Sequence, residues 1–450
     1  MSVTKPFINP PTDSPAGQAA SRFSRRAKVV CLLLVLAWLA LAFWNSAKPL
    51  PPGTHLVSQV SRLSERDVDF LYDSPRRGDI RAHEMSAIDN AEQMIVLDRS
   101  PVTRELAQRL LERKRLRPHL KIVLLTDPSN EWFGGTPLQI LAPLEEAGVI
   151  VVRVRLDRLR DSNPLYSALW RLVFGWWSDP FEETSGEVSL PAWSRMQNFK
   201  SDRRQLVVTD DGSGGWIAII GPAGAAAGLV LRGSLARAMI AGELQIASWS
   251  ADDDRLPPRP QTDARGVGSI DARFLTEGAI AAALLEAMAA AGRGDQISIV
   301  VENLSDRRLI AAALSAAARG ASLKVLLARN RVPNQAVAGE LRRDGSSRIE
   351  VRWYPSKQGA SQPKLLVLRH RTDLWINLGA ANFTRRNLDD LNLAASVELR
   401  MPARAAPARA VADYFAEAWS GASADAEFSD DSAAAYWRYR FAEATGLSSF

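Results

Sequence analysis

The clearest pattern along the chain is an unbroken apolar run, VVCLLLVLAWLALAFW, from Val29 to Trp44. Arg22, Arg25, Arg26 and Lys28 precede it, whereas the following NSAKPLPPG carries only Lys48. Basic residues stay on the cytoplasmic side of a span, so this asymmetry predicts a cytoplasmic N-terminus, with the bulk of the chain across the membrane. A helix of that length covers about 24 Å, a little short of a hydrocarbon core, and Ala27, Ala47 and a snorkelling Lys28 extend it. A cleaved signal peptide is the competing expectation, but Asn45 stands where cleavage after Ala47 would want a small residue. No other apolar stretch reaches spanning length. The expected order is a basic tail (1–27), a transmembrane helix (28–46) and a tether (47–60) containing KPLPPG.

After the tether the pattern changes to short apolar runs alternating with helical periodicity. Met94–Asp98 (MIVLD) precedes a helical stretch, Pro101–Arg115, with Leu106, Leu110 and Leu111 on one face, and then Lys121–Asp127 (KIVLLTD). The same order returns as Ile297–Glu302 (ISIVVE), an Ala-rich helix over Arg307–Arg319, and Leu323–Arg329 (LKVLLAR). Continuous apolar strands alternating with helices predict parallel pairing in a sheet covered on both faces. Two units about 200 residues apart predict a duplicated lobe. A stretch rich in Pro, Asp and Gly separates them. The expected fold is α/β and two-lobed, each lobe a mixed, mostly parallel sheet flanked by helices, preceded by one transmembrane helix. The expected boundaries are 61–250 for the N-terminal lobe, 251–268 for the linker and 269–447 for the C-terminal lobe.

Composition narrows the chemistry. With 450 residues, 46% apolar and 24% charged, the chain is a folded one with ample core. A net charge of +6 is weak at this length, and no cation–aromatic pattern predicts a nucleic-acid groove. The single Cys31 excludes an intrachain disulfide framework and a cysteine-based zinc site. No P-loop, dinucleotide fingerprint or metal-ligand spacing occurs, so neither cofactor nor metal is expected, and DDGSGGW (Asp210–Trp216) reads as a hairpin turn. Only His55, His83, His119 and His370 could supply imidazole chemistry. Leu165–Phe181 sets Tyr166, Trp170, Phe174 and Trp177 at helical spacing. Such a stripe is more often core, and its rival placement is the headgroup level of a bilayer.

The most specific text is in the C-terminal half: QPKLLVLRH, a hairpin, then INLGAANFTRRNLDDLNL. It resembles bacterial members of the phospholipase D superfamily, phosphodiesterases and phosphatidyltransferases that include cardiolipin synthases. Their hallmark is a strand with HxKxxxxD followed by a GSxNxT loop. RDSNPLYSALWR (Arg160–Arg171) and NFKSDRRQLVVTDDG (Asn198–Gly212) are similar to the matching segments of the first lobe. The resemblance runs over roughly residues 65–420. In that family one histidine attacks phosphorus and a second protonates the leaving oxygen, while lysine and asparagine steady the phosphate.

This chain departs from the motif at nearly every chemical position. Gln362 stands at the second-lobe histidine, Lys364 keeps the lysine, and Arg369 replaces the acid. The loop keeps Gly379, Asn382 and Thr384, with Ala380 at the serine. In the first lobe Arg203 stands at the histidine, Gln205 at the lysine, Asp210 keeps the acid, and Gly224 falls where the asparagine belongs. An amide is no nucleophile toward phosphorus and no proton donor near neutral pH. His370 is eight residues past Gln362, His55 borders the tether, and His83 and His119 precede the first motif, so each reads as solvated or capping. What the resemblance implies is an emptied pocket in which Arg203, Lys364, Asn382 and Thr384 could hold a phosphate without cleaving it. The expected function is a membrane-anchored, catalytically impaired phospholipase D-like protein acting on or binding phospholipid-type phosphodiesters. Its expected partners are the bilayer and anionic phospholipid headgroups. The alternatives are an active phosphatidyltransferase or phosphodiesterase of cardiolipin synthase type, and a scaffold for an active relative. The expected location is a bacterial inner membrane, single-pass, with the main domain periplasmic.

Overall fold

The computed structural model describes residues 15–73, 80–129, 138–174, 200–222, 227–251, 253–261, 266–329, 332–344, 346–354, 363–424, 430 and 432–445. The chain opens with α1 (Pro15–Ala47), whose apolar section, Arg26–Ala47, is 22 residues long with a mean hydropathy of 2.3. At about 1.5 Å per residue this reaches about 33 Å, so the helix extends past both ends of the apolar run and makes up its deficit.

The first half then supplies β1 (Ser61–Leu63), β2 (Val68–Tyr72), α2 (Ile80–Asn90), β3 (Met94–Asp98), α3 (Arg104–Leu116), β4 (Lys121–Thr126), α4 (Leu138–Glu146) and β5 (Ile150–Arg153). It continues with α5 (Pro164–Phe174), β6 (Asp202–Arg203), β7 (Leu206–Asp210), β8 (Trp216–Ile220), β9 (Ala227–Arg232) and α6 (Ser234–Ser250). The second half holds β10 (Ile270–Thr276), α7 (Gly278–Ala290), β11 (Gln296–Val301), α8 (Arg307–Ala318), β12 (Ser322–Ala328), α9 (Val332–Asp344) and β13 (Ile349–Tyr354). It ends with β14 (Lys364–His370), β15 (Asp373–Gly379), α10 (Arg385–Leu388), β16 (Leu393–Pro402), α11 (Ala406–Ser420) and α12 (Ala433–Thr445). Thr103 caps α3 and Asp306 caps α8 through side-chain oxygens that take first-turn N–H groups, which fixes where both helices start.

Two sheets result. One runs β2-β9-β8-β7-β3-β4-β5, the other β1-β10-β16-β15-β14-β11-β12-β13, with β6 added to β16. Both strand–helix–strand units pair in parallel as expected, β3 with β4 and β11 with β12. Parallel pairing goes no further than β3-β4-β5, β11-β12-β13 and the short β6, so the sheets are mixed but not mostly parallel. The cause is local: β7-β8-β9 and β14-β15 are joined by short connections, which allow antiparallel pairing only, and β16 returns antiparallel to β15 after the loop that carries α10.

Alternation along each strand divides the core. Val96 and Val300 join one large cluster to which both sheets, α6 and α11 contribute. Their neighbours Ile95 and Leu97 pack against α2, α3 and α4, and Ile299 and Val301 pack against α7, α8 and α9. The two lobes therefore share one interior. Two strands of the first half also belong to the second half's sheet: Ser61 pairs with Ala272, and Ala394 with Arg203.

The aromatic stretch is not core. In α5 only Ser167 and Ala168 are buried, whereas Leu165, Leu169, Leu172 and Val173 are exposed and Tyr166, Trp170 and Phe174 are half-buried. The helix lies beside α1, and Trp38 donates its indole N–H to the Leu165 carbonyl at 2.8 Å. Trp177 lies outside the described residues.

Candidate anion site at the seam between the lobes

Arg203 is exposed on β6, its Nε 3.3 Å from the Ser201 hydroxyl. Asn392 holds this segment against the second half by accepting the Ser201 N–H at 3.0 Å. Gln205 is buried at φ 50°, in the left-handed region, and its amide donates to the Ser100 carbonyl at 2.7 Å. Asp210 is buried too, and its carboxylate accepts N–H groups of Glu92, Gln93, Met94 and Gly212 at 2.8–3.2 Å. The one acid the first motif retains thus ties the start of β3 to the end of β7.

In the second lobe Lys364 is 4% exposed, with its ammonium 3.3 Å from Glu302. Asn382 accepts the Asn303 N–H at 3.2 Å through its side chain, and its carbonyl takes the Asn387 amide. Thr384 is fully buried before α10, and its hydroxyl has no hydrogen-bond partner among the described residues. Arg369 is exposed near the end of β14, and His370 beside it meets Asp295 at 2.8 Å. Gln362 and Gly224 lie outside the described residues. Asn382 and Thr384 thus lie in the loop after β15, Lys364 pairs with Gly379 at the start of that loop, and Arg203 stands where β6 pairs with β16.

Sequence reasoning passed over the residue between Arg203 and Gln205. Arg204 is completely buried, as are Glu243 of α6 and Glu277, which links β10 to α7. Its guanidinium donates to Glu277 at 2.9 and 3.1 Å, to Glu243 at 3.0 Å and to the Gly53 carbonyl of the tether at 2.7 Å. Burial opposes the guanidinium charge, but Glu277 and Glu243 outweigh it and hold its pKa above the ordinary value. Glu277 is raised by burial against the pull of Arg204. Two further buried carboxyls crowd the cluster. Asp202 is pushed up to about 7, by burial first and by the Glu243 charge second. Asp98 is raised well above the carboxylate range by burial, then by Asp202 and Glu243. One arginine therefore joins both lobes and the tether, surrounded by more acid than it can neutralise.

His55, expected to be solvated or capping, is instead paired with the seam. Its backbone N–H donates to Glu277 at 2.8 Å, and its Nδ1 lies 2.9 Å from Asp390. The sequence separation of 335 residues hides that pairing. Among the described residues, no group of three or more His, Cys, Asp or Glu side chains could hold a metal ion.

Comparison with known proteins agrees with this architecture. Residues 284–419 match the family model described as cardiolipin synthase, phospholipase D-like domain. No curated protein matches the chain in sequence. Among solved structures, phosphatidylserine synthase from Haemophilus influenzae Rd KW20 is similar at TM-score 0.55 and 10% identity, over 86% of this chain and 95% of that one. Polyphosphate kinase from Porphyromonas gingivalis gives TM-score 0.46 and 12% identity, over 89% of this chain and 57% of its own. Nuc from Salmonella typhimurium, a phospholipase D family member, gives TM-score 0.28 and 16% identity, over 34% of this chain and 96% of its own. The residues matched by the family model include Lys364, Asn382 and Thr384, and the first likeness extends over both lobes. Residues 284–419 thus carry the cardiolipin synthase-type, phospholipase D-like domain, and the two-lobed fold as a whole is that of the phosphatidylserine synthase structure.

Proposed function

We propose that this is a membrane-anchored phospholipase D-like protein that holds phospholipid-type phosphodiesters at the lobe seam and does not turn them over by the two-histidine route. The observation that carries the reading is the state of the motif positions. Arg203 and Gln362 stand where histidines are required. Gln205 is committed to a backbone carbonyl, and the retained Lys364 is buried against Glu302. A guanidinium can fork a phosphate but neither attacks phosphorus nor gives up a proton at neutral pH. Arg203, Lys364, Asn382 and Thr384 are the residues this reading assigns to phosphate binding. Purified full-length protein is expected to show no phosphodiesterase turnover above background with phosphatidylglycerol or cardiolipin. Turnover that Lys364→Ala abolishes would overturn the impairment and promote an active phosphatidyltransferase.

Anchoring rests on two apolar surfaces that adjoin. Arg26–Ala47 of α1 is almost wholly exposed, and the exposed Leu165, Leu169, Leu172 and Val173 of α5 lie alongside it. In water this would be a costly patch. Against acyl chains and headgroups it is a favourable one. With the basic residues before the span, this reading places the two lobes on the periplasmic side of an inner membrane. A reporter that works only in the periplasm, fused after Phe450, is expected to be active. A cytoplasm-only reporter active at the same point would reverse the orientation.

A further inference from the structure

A cavity of about 370 Å³ lies where the span, the tether and both lobes meet, and its lining includes none of Arg203, Lys364, Asn382 or Thr384. Ser46 in the last turn of α1, His55, Arg160, Arg308, Arg385 and Asp390 are among its lining residues. Arg160 comes from the first lobe just before α5, Arg308 from the first turn of α8, and Arg385 from the start of α10. No stretch of sequence holds two of these arginines, so only the fold assembles them. We propose that this cavity is a second phosphate-binding site, one that takes the phosphate of a membrane lipid headgroup on Arg160, Arg385 and His55. It extends the proposed function by placing lipid recognition outside the motif positions, and rests on that reading for the class of ligand.

Each carboxylate that lines the cavity already has partners. Asp161 also lines the cavity, but Arg171 and Lys200 hold its carboxylate from outside at 2.5 and 2.6 Å. Burial opposes that ion pairing, yet the two cations prevail and keep Asp161 at about 2. Asp389 is bound to Arg308 at 2.6 Å and lies 3.5 Å from Arg385, which also donates to the Glu443 carbonyl at 3.1 Å. Asp390 is engaged by His55 and by the Gly278 N–H at 2.8 Å. Arg160 reaches Asp390 only at 3.9 Å, beyond hydrogen-bond distance. Asp390 on Nδ1 leaves Nε2 as the ring nitrogen available to a ligand.

The backbone around the cavity is held in an uncommon form. His55, Glu277 and Asp390 have φ of 53°, 47° and 59°, all in the left-handed region that non-glycine residues avoid. They are neighbours in space, since His55 bonds both of the others. Such strain persists only where surrounding structure fixes it, and it gathers at binding sites. Gly278 is part of the same arrangement. A Cβ there would stand 2.7 Å from Asp390 Oδ1 and 2.8 Å from His55 Nδ1, so a side chain would displace the pair. Ser46 supplies the last element, because it sets the cavity wall at the end of the apolar helix. A lipid phosphate is the anion that is concentrated at that level.

The test is calorimetric titration of the full-length protein in a neutral detergent with short-chain phosphatidylglycerol, and separately with inorganic phosphate. Arg160→Gln and His55→Gln, both at partly exposed positions, are each expected to weaken phosphatidylglycerol binding roughly tenfold. Gly278→Ala should do the same without changing any charge, and the two surface variants decide the matter if it fails to fold. Inorganic phosphate should bind far more weakly. Wild-type binding that survives all three variants but falls with Arg203→Ala or Lys364→Ala would overturn this site and leave the proposed function standing. Absence of wild-type binding would overturn both. Inorganic phosphate binding as tightly as the lipid would replace the headgroup by a free anion and overturn the lipid assignment.

Discussion

Arg204→Ala is expected to be the most damaging single substitution in the soluble part of the chain. Removing the guanidinium leaves Glu243 and Glu277 facing each other with no exposure to water and no cation between them. Breaking a buried ion pair from one side costs about 3–5 kcal/mol, because the surviving charge keeps its desolvation penalty and loses its attraction. Here two charges survive, so the upper end applies. The Gly53 carbonyl also loses its donor, which loosens the tether from the lobes. The measurement is the thermal midpoint of the full-length protein in detergent, with Arg203→Ala as the comparison. Arg203 is one residue away but exposed, and its removal is expected to change stability by less than about 0.5 kcal/mol. The combined variant Arg204→Met, Glu243→Gln, Glu277→Gln should recover much of the loss, since it removes the stranded charges as well. A full-size effect at Arg203, or none at Arg204, would refute the assignment.

The second large effect is in pH dependence. The Asp202 carboxyl is raised from 3.8 to about 7 by burial and then by the Glu243 charge. Between those two values the folded protein holds a proton that the unfolded chain has released. Folding there takes up a proton, so the contribution of Asp202 to stability falls as pH rises through that window. It is largest on the acid side and lost once pH passes the folded value. Each unit is worth about 1.4 kcal/mol, which makes the total on the order of a few kcal/mol. Asp98, raised by burial and by its acidic neighbours, adds to the same slope. Asp202→Asn is therefore expected to stabilise the protein at pH 8 and to flatten the fall between pH 4 and 7, read as the shift of thermal midpoint with pH. Asparagine keeps an oxygen that can accept the Arg204 N–H, now 3.2 Å from Asp202 Oδ1, so the local backbone contact is retained. A variant with the wild-type slope would show that Asp202 is ionised when folded.

Much of the architecture was legible because it is written in periodicity. MIVLD and ISIVVE could be placed as buried strands, and the helices after them by their apolar faces, since those signals are local. The direction of pairing beyond the two units was not legible, because an apolar strand looks the same whichever way its neighbour runs. The aromatic stretch failed for a related reason. An apolar helix face states that it avoids water, not whether protein or lipid covers it, and Leu165 and Leu169 are exposed beside α1. At the seam the obstacle was distance along the chain. Arg204 beside a motif arginine reads as one more solvated cation until Glu277 arrives from 73 residues away. His55 reads as part of a tether until Asp390 is found next to it. Charged residues acquire their meaning from partners, and sequence alone does not say which partners those are.

The two borrowed strands have a consequence for biosynthesis. Ser61–Leu63 must wait for residues 270–272, and Asp202–Arg203 for residues 393–394. At about 5–20 residues per second, the first of these intervals lasts roughly 10–40 s. During it the nascent N-terminal half carries edges whose hydrogen-bonding complements have not been made. The early product of the ribosome is an unfinished interface, and neither half can be released to fold to completion before most of the other exists. A gene cut at the junction would yield two polypeptides, the second of which completes its sheet only when the first lends it β1 and β6.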